Sequence, residues 1–139
     1  MKIIFTTYSN QINAHYKRYI SSCHHNNIKP IVLGLNDKYF TFKNRIISME
    51  KLLNTLNEND IVVFTDCWDV IILDNKSIIL KNFLSLNVPH LISTEKIKQC
   101  ILDYPNKNWI EEDKHYPYLN AGSYMGYVKQ LKITKEKFC

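Results

Sequence analysis

The chain has 139 residues, enough for one hydrophobic core and too few for two. Hydrophobic residues make up 45% and charged residues 22%, a balance that excludes a disordered chain and is typical of a globular domain. No apolar run approaches the roughly 20 residues that cross a bilayer, and the first residues lack the apolar stretch of a secretion signal. We therefore expect one domain over residues 1–139, located in the cytoplasm.

A net charge of +5 and a pI near 9.0 raise the question of nucleic-acid binding. Only Arg18 and Arg45 are arginines, however, and the lysines are spread along most of the chain. Bidentate contacts to phosphates and bases favour arginine over lysine. The sequence therefore disfavours a basic nucleic-acid-binding module, which we keep as an alternative.

Four cysteines stand far apart in the chain, at Cys23, Cys67, Cys100 and Cys139. None forms the C-x-x-C pair that a zinc site or a redox motif usually contains. We expect free or buried thiols in a reducing compartment.

The predicted elements alternate between strands and helices, judged by apolar runs and helical spacing. In chain order they are a strand at Ile3–Thr7, a helix at Asn13–His25, a strand at Pro30–Gly34, a helix at Lys43–Asn57, a strand at Ile61–Thr65, extended structure at Val70–Leu73, a helix at Lys76–Leu86, a strand at His90–Thr94, an irregular region at Glu95–Tyr118 and a strand at Tyr124–Val128. This order predicts an α/β fold, a mostly parallel sheet with helices on both faces.

Ligands of such sheets bind beyond the carboxyl ends of the strands. Four segments follow predicted strands there, namely Thr7–Ser9, Leu35–Tyr39, Asp66–Asp69 and Thr94–Glu95. We expect all four to lie on one edge of the sheet and to form the binding site.

Asp66 and Asp69 directly follow the most apolar strand. Two neighbouring carboxylates repel each other, and a hard divalent cation such as Mn²⁺ or Mg²⁺ removes that repulsion while it binds phosphate oxygens. The alternative is that Asp66 caps a turn and Asp69 faces water. Cys67 between them is expected to point into the core. His24 and His25 lie about 100° apart on a helix and make a poor chelating pair.

Leu119–Gly126 contains two glycines at a loop-to-strand junction, where backbone can come close to a bound sugar. Asn120 can donate and accept hydrogen bonds to hydroxyl groups. The alternative is a plain turn before an edge strand.

Together these segments resemble a known family. Phe64–Ile71 is similar to the F-x-D-x-[YW]-D-V-I stretch in the glycosyltransferase domain of procollagen lysyl hydroxylases, the procollagen glucosyltransferase family with its giant-virus relatives. Four further segments match in the same order: Leu33–Tyr39 (L-G-L turn), Lys43–Arg45 (K-x-R helix start), Ile92–Glu95 (F-S-A-E) and Leu119–Gly126 (L-N-S-G-G-F-I-G).

The resemblance implies a Rossmann-like GT-A fold that binds a UDP-sugar through Mn²⁺ or Mg²⁺. By position, the metal ligands would be Asp66 and Asp69. The residues near the nucleotide would be Thr6, Thr7, Tyr8, Tyr39, Lys43, Asp66 and Trp68. The residues near the sugar or the acceptor would be Glu95, Asn120 and Gly122.

The chain departs from the family pattern in several places. Ser123 replaces a glycine, Tyr39 replaces a Trp, and Cys67-Trp68 stands where a small residue and Tyr are usual. After Gly126 the family's Asp-rich run and metal-binding His are missing. We therefore expect a domain that is incomplete at its C-terminus, holds the metal weakly and could self-associate through an open sheet edge.

The leading hypothesis is a UDP-sugar-dependent glycosyltransferase domain, which transfers a hexose to a hydroxylysine-type or other hydroxyl acceptor on a protein or glycan. The alternative is an inactive remnant or split-gene fragment that retains at most nucleotide binding. A viral origin would place the protein in the host-cell cytoplasm.

Overall fold

The computed structural model describes residues 1–95 and 118–138 of the chain. Its elements are β1 (Ile3–Tyr8), α1 (Ala14–His25), β2 (Ile31–Leu33), α2 (Phe42–Thr55), β3 (Ile61–Thr65), α3 (Lys76–Ser85), β4 (His90–Glu95), β5 (Tyr118–Tyr127) and α4 (Val128–Phe138). None of the helices in these two ranges is both long enough and apolar enough to span a membrane.

The five strands form one sheet in the order β2-β1-β3-β5-β4. β1 pairs in parallel with β2 and with β3, whereas β5 is antiparallel to both β3 and β4. β4 therefore points in the same direction as β1, β2 and β3. The predicted α/β class with a mostly parallel sheet is confirmed, with β5 as the one reversed strand of the described sheet.

Helices cover both faces of the sheet, as predicted. Alternate residues of a strand point to opposite faces, and Ile61 and Val63 of β3 join one buried cluster while Val62 and Phe64 join another. α1 and α3 pack on the first cluster, through Tyr19, Cys23 and Phe83. α2 and α4 pack on the second cluster, through Met49, Leu53, Val128 and Leu131.

Side-chain caps fix where three of the helices begin. Asn13, Thr41 and Asn75 each accept a hydrogen bond from a backbone N–H of the first helical turn. Such caps satisfy donors that have no partner within the helix and contribute about 1 kcal/mol each. The Thr41 cap also sets the direction of the first turn of α2, which reaches the candidate site.

The chain after β3 forms no described strand before β4. Val70–Leu73 was predicted to be extended, and the backbone of Ile72 bonds to the end of α1 and to the residue that follows it: its N–H donates to Ser22 Oγ at 2.9 Å, and its carbonyl accepts from Asn26 Nδ2 at 2.9 Å. The last strand begins six residues earlier than predicted and ends at Tyr127, after which Val128 starts the unpredicted helix α4.

Other predictions are confirmed or fall outside the described ranges. Cys23 and Cys67 are free and buried, and Cys67 points into the core as expected. Cys100, Cys139 and most of the region predicted to be irregular, 96–117, lie outside the described residues.

Candidate functional site

The carboxyl ends of β1, β2, β3 and β4 share one edge of the sheet, since these strands point the same way. Thr6 and Thr7 are fully buried within β1, and the Thr6 hydroxyl donates to the carbonyl of Ile31 at 2.9 Å. Neither threonine exposes backbone or side-chain surface at this edge. The role of Thr6 and Thr7 beside a nucleotide stays a prediction.

Asp66 is the residue that follows β3, and two hydrogen bonds fix its position. Its backbone N–H donates to the carbonyl of Gly122 in β5 at 2.7 Å. Its Oδ1 accepts from Arg45 Nη1 at 3.0 Å. A Cβ added to Gly122 would lie only 2.8 Å from Asp66 Oδ2, so the glycine makes room for the carboxylate.

The charges around Asp66 favour a cation. Burial is the main cause that raises the pKa of Asp66, and the neighbouring Asp69 raises it further, while Arg45 lowers it. The side chain of Asp66 is nevertheless 41% exposed, and Asp69 is exposed as well. Carboxylate oxygens of this kind fit a divalent ion bound through oxygen. The described residues contain no group of three or more His, Cys, Asp and Glu side chains suited to a metal.

The L-N-A-G-S segment lies directly against Asp66. Asn120 Oδ1 accepts from the N–H of Gly122 at 2.6 Å. Ser93 Oγ lies 2.9 Å from the carbonyls of both Asn120 and Ser123, next to an irregularity in the pairing of β4 with β5. The segment belongs to an interior strand, so the alternative of a plain turn before an edge strand was wrong. Asn120 and Gly122 are thereby brought together with Asp66.

Arg45 completes this cluster, and the sequence interpretation did not identify it. Its guanidinium carbon lies 5.1 Å from the ring centre of Phe42 and 5.3 Å from that of Phe64. Phe64 in turn stacks on Tyr124 with 4.9 Å between ring centres. The K-x-R pattern was visible, but only Lys43 was selected. Side chains two positions apart on a helix point in directions about 200° apart. Accordingly, Arg45 faces Asp66 while Lys43 is exposed.

The loop after β2 is fastened to Tyr8. The Tyr8 hydroxyl donates to the carboxylate of Asp37, and burial together with Asp37 raises the pKa of Tyr8 to about 12. Gly34 has φ +82°, and a Cβ there would lie 2.4 Å from the Tyr8 ring. Tyr39 at the end of this loop is 67% exposed, with Lys38 Nζ 5.3 Å from its ring centre.

Trp68 lies on the segment between the two aspartates and is 44% exposed. Its Nε1 donates to Ser9 Oγ at 3.3 Å, and the Ser9 hydroxyl also donates to the carbonyl of Gln11 at 2.7 Å. Cys67 beside it lies with Sγ 3.6 Å from the carbonyl of Tyr8, and burial raises the pKa of its thiol. Ser9 thus orients the indole of Trp68, a role that the sequence pattern did not reveal.

The remaining predicted residues are less informative. Glu95 ends β4 at the same edge, and its side chain is not among those described. His24 and His25 are exposed at the end of α1, as expected for surface residues.

Comparison with known proteins agrees with the motifs. The chain matches the family model of the PLOD GT domain over residues 1–137. It is also 31% identical over 130 residues to the procollagen-lysine,2-oxoglutarate 5-dioxygenase of Drosophila melanogaster, a match that covers 84% of this chain and 17% of that protein. The chain thus spans less than a fifth of the length of that relative. The chain belongs to the PLOD GT-domain family of glycosyltransferase domains.

Proposed function

We propose that this chain binds a UDP-sugar together with Mn²⁺ or Mg²⁺ at the Asp66 edge of the sheet and transfers a hexose to a hydroxyl acceptor. One observation carries the proposal: in a chain of the PLOD GT-domain family, Asp66 and Asp69 follow a buried strand closely enough for their negative charges to repel, and a bound cation would relieve that repulsion. The acceptor class is a hydroxylysine-type side chain or another hydroxyl group of a protein or glycan.

Asp66 and Asp69 would hold the metal. The bound ion would supply positive charge that stabilises the negative charge developing on the departing UDP. Asp66 is suited to this role because Arg45 binds its Oδ1, whereas Oδ2 lies close to Gly122, which has no side chain of its own to displace the carboxylate.

The nucleotide would lie along the loops at the same edge. Tyr39 and Trp68 present exposed aromatic surface that suits a flat uracil ring. Thr6, Thr7 and Tyr8 would border the nucleotide through the end of β1, and the exposed ammonium group of Lys43 would balance phosphate charge.

The sugar would lie next to Asn120 and Gly122, with Glu95 toward the sugar or the acceptor. Gly122 allows close approach of backbone, and the amide of Asn120 suits hydroxyl groups. In the transfer, the bond from the anomeric carbon to the UDP oxygen breaks, a bond from that carbon to the acceptor oxygen forms, UDP leaves, and the proton of the acceptor hydroxyl passes to solvent.

Calorimetric titration of UDP into the full chain, with and without Mn²⁺, tests the donor site. We expect binding that requires Mn²⁺ and that is lost in Asp66→Ala/Asp69→Ala, whereas Asp74→Ala, at an exposed position, binds like the unmodified protein. A screen of UDP-hexoses with hydroxylysine peptides, followed by UDP release, then tests transfer. A folded protein that binds no UDP at any Mn²⁺ concentration contradicts the proposal.

A further inference from the structure

We infer that Arg45 is a positioning residue that fixes the Asp66 carboxylate for the metal-bound nucleotide, an inference that rests on the proposed function. Arg45 Nη1 lies 3.0 Å from Asp66 Oδ1, the one ion pair between described side chains. Neither residue is a neighbour of the other in the chain, since Arg45 belongs to α2 and Asp66 follows β3. Their contact therefore depends on the packing of this helix against the sheet.

The guanidinium group is itself held in place. It lies over the rings of Phe42 and Phe64, and only 13% of the Arg45 side chain is exposed, compared with 41% for Asp66. Phe64 is backed by Tyr124 on the next strand. A planar cation stacked on aromatic rings loses little further freedom when it forms a directed hydrogen bond. Arg45 is thus a rigid support rather than a mobile surface charge.

The two oxygens of the Asp66 carboxylate have different surroundings. Arg45 binds Oδ1, and within the described part of the chain no hydrogen bond reaches Oδ2. Oδ2 lies close to Gly122: a Cβ there would be 2.8 Å from Oδ2 and 2.7 Å from Asn120 Oδ1, so this placement of the carboxylate needs a glycine. A carboxylate fixed by one oxygen offers the other in a defined direction, which lowers the entropy lost when a ligand binds.

The sum of the charges is compatible with this role. Asp66, Asp69 and Arg45 together carry a charge of −1 when ionised, so the cluster still attracts a divalent cation. Lysine at this position would keep the charge but not the planar group that contacts two rings and donates a directed hydrogen bond. The geometry therefore requires arginine specifically, and substitution by lysine should restore binding only in part.

The test uses the full chain with Arg45→Gln and Arg45→Lys, and with Arg18→Gln as the matched control on an exposed part of α1. UDP binding is measured by calorimetry at several Mn²⁺ concentrations and without metal, and thermal unfolding is followed without ligand. We expect Arg45→Gln to weaken Mn²⁺-dependent UDP binding about tenfold or more, and Arg45→Lys several-fold. The Mn²⁺ needed for half-saturation should rise, while any metal-free UDP binding and the control stay unchanged.

Each of the other outcomes also decides for or against the positioning role of Arg45. Unchanged Mn²⁺-dependent affinity in Arg45→Gln overturns the positioning role and leaves the proposed function intact. An equal loss of metal-free UDP binding shows direct contact of Arg45 with the nucleotide, which also overturns it. No Mn²⁺-dependent binding in the unmodified protein removes the proposed function and this inference with it. Should Arg45→Gln fail to fold, Arg45→Lys decides: wild-type affinity overturns the role, and a several-fold loss in a folded protein supports it.

Discussion

At the scale of the single residue, Asp66 occupies a position that disfavours its own charge. Burial and the nearby Asp69 raise its pKa, and the ion pair with Arg45 offsets only part of this effect. In the absence of a ligand the folded protein therefore holds a carboxylate that would be more favourably ionised in water. Sites prepared for a cation commonly show such local destabilisation.

Asp66→Asn should make the ligand-free protein slightly more stable at neutral pH. An acid with a raised folded-state pKa contributes stability below its unfolded pKa of about 3.9, and this contribution is lost as the pH rises through the folded-state pKa. The neutral amide avoids the loss, with a gain under about 1 kcal/mol because water screens the half-exposed side chain.

Urea unfolding at pH 7 and near pH 3 measures this difference, with Asp74→Asn as the control. The gain from Asp66→Asn should shrink at the lower pH, where Asp66 is protonated in both states. A variant that is less stable than the unmodified protein at pH 7 would contradict the prediction.

The aspartates could be predicted from sequence, and their supporting residues could not. Asp66 and Asp69 follow an unbroken apolar run, a pattern that is read directly from the chain. The pairing with Arg45 depends on how α2 is rotated about its axis, and from the K-x-R segment only Lys43 was selected. Ser9 and Asp37 lie in segments that were predicted to form the site, but their contacts with Trp68 and Tyr8 were missed, because contacts between separate loops leave no periodic pattern.

At the scale of the element, the loop from β2 to α2 is set by one backbone conformation. Gly34 adopts a left-handed φ and lies beneath the Tyr8 ring, so that Asp37 reaches the Tyr8 hydroxyl. The loop carries Tyr39, one of the two aromatic residues proposed for the base. The position of Tyr39 thus depends on Gly34.

Gly34→Ala should destabilise the protein and release this loop. The left-handed conformation costs a non-glycine residue about 1–2 kcal/mol, and overpacking against the Tyr8 ring adds about 1–3 kcal/mol. Thermal unfolding measures the loss, compared with Leu35→Ala at the exposed neighbouring position. Equal melting temperatures for Gly34→Ala and the unmodified protein would show that the loop accommodates a side chain.

Helices and strands were predicted correctly where apolar periodicity was strong. They were missed where contacts between distant parts of the chain determine the local structure. β1, α1, β3 and α3 were located within a few residues of their observed bounds. α4 was missed because lysines dominate its sequence, and its buried side is established only by packing of Val128 and Leu131 on α2 and β3. The reversed direction of β5 could not be predicted, since a strand sequence does not specify which neighbours it pairs with.

At the scale of the whole molecule, Asp60 connects three parts of the chain. Its Oδ1 accepts from the backbone N–H of Lys2 at 2.7 Å, just before β1. Its carbonyl accepts from the N–H of Val128 at 2.9 Å, where β5 passes into α4. The hydrogen bond from Lys2 is the largest cause that lowers the pKa of Asp60, and the amide of Asn57 and the N-terminal charge also lower it.

Asp60→Asn should lower the free energy of unfolding at neutral pH. It should also make that free energy depend less on pH in the acid range. An acid with a lowered folded-state pKa contributes stability above its unfolded pKa of about 3.9, and this contribution is lost as the pH falls through the folded-state pKa. Denaturant unfolding between pH 7 and pH 2 measures the slope, with Asp74→Asn as the exposed control. If the free energy of unfolding varied with pH in the same way for Asp60→Asn and the unmodified protein, the lowered pKa of Asp60 would not contribute to stability, and the prediction would be wrong.

The position of β5 between β3 and β4 makes both the sheet and the candidate site depend on this one strand. β4 leaves the ribosome before β5, yet among the described strands it pairs with β5 alone. It is therefore connected to the rest of the described sheet only through β5, and the pairing of β5 with β3 also brings the carbonyl of Gly122 to the N–H of Asp66. Contacts between such distant residues form slowly. A growing chain that has not yet produced β5 consequently has neither a finished sheet nor a finished site.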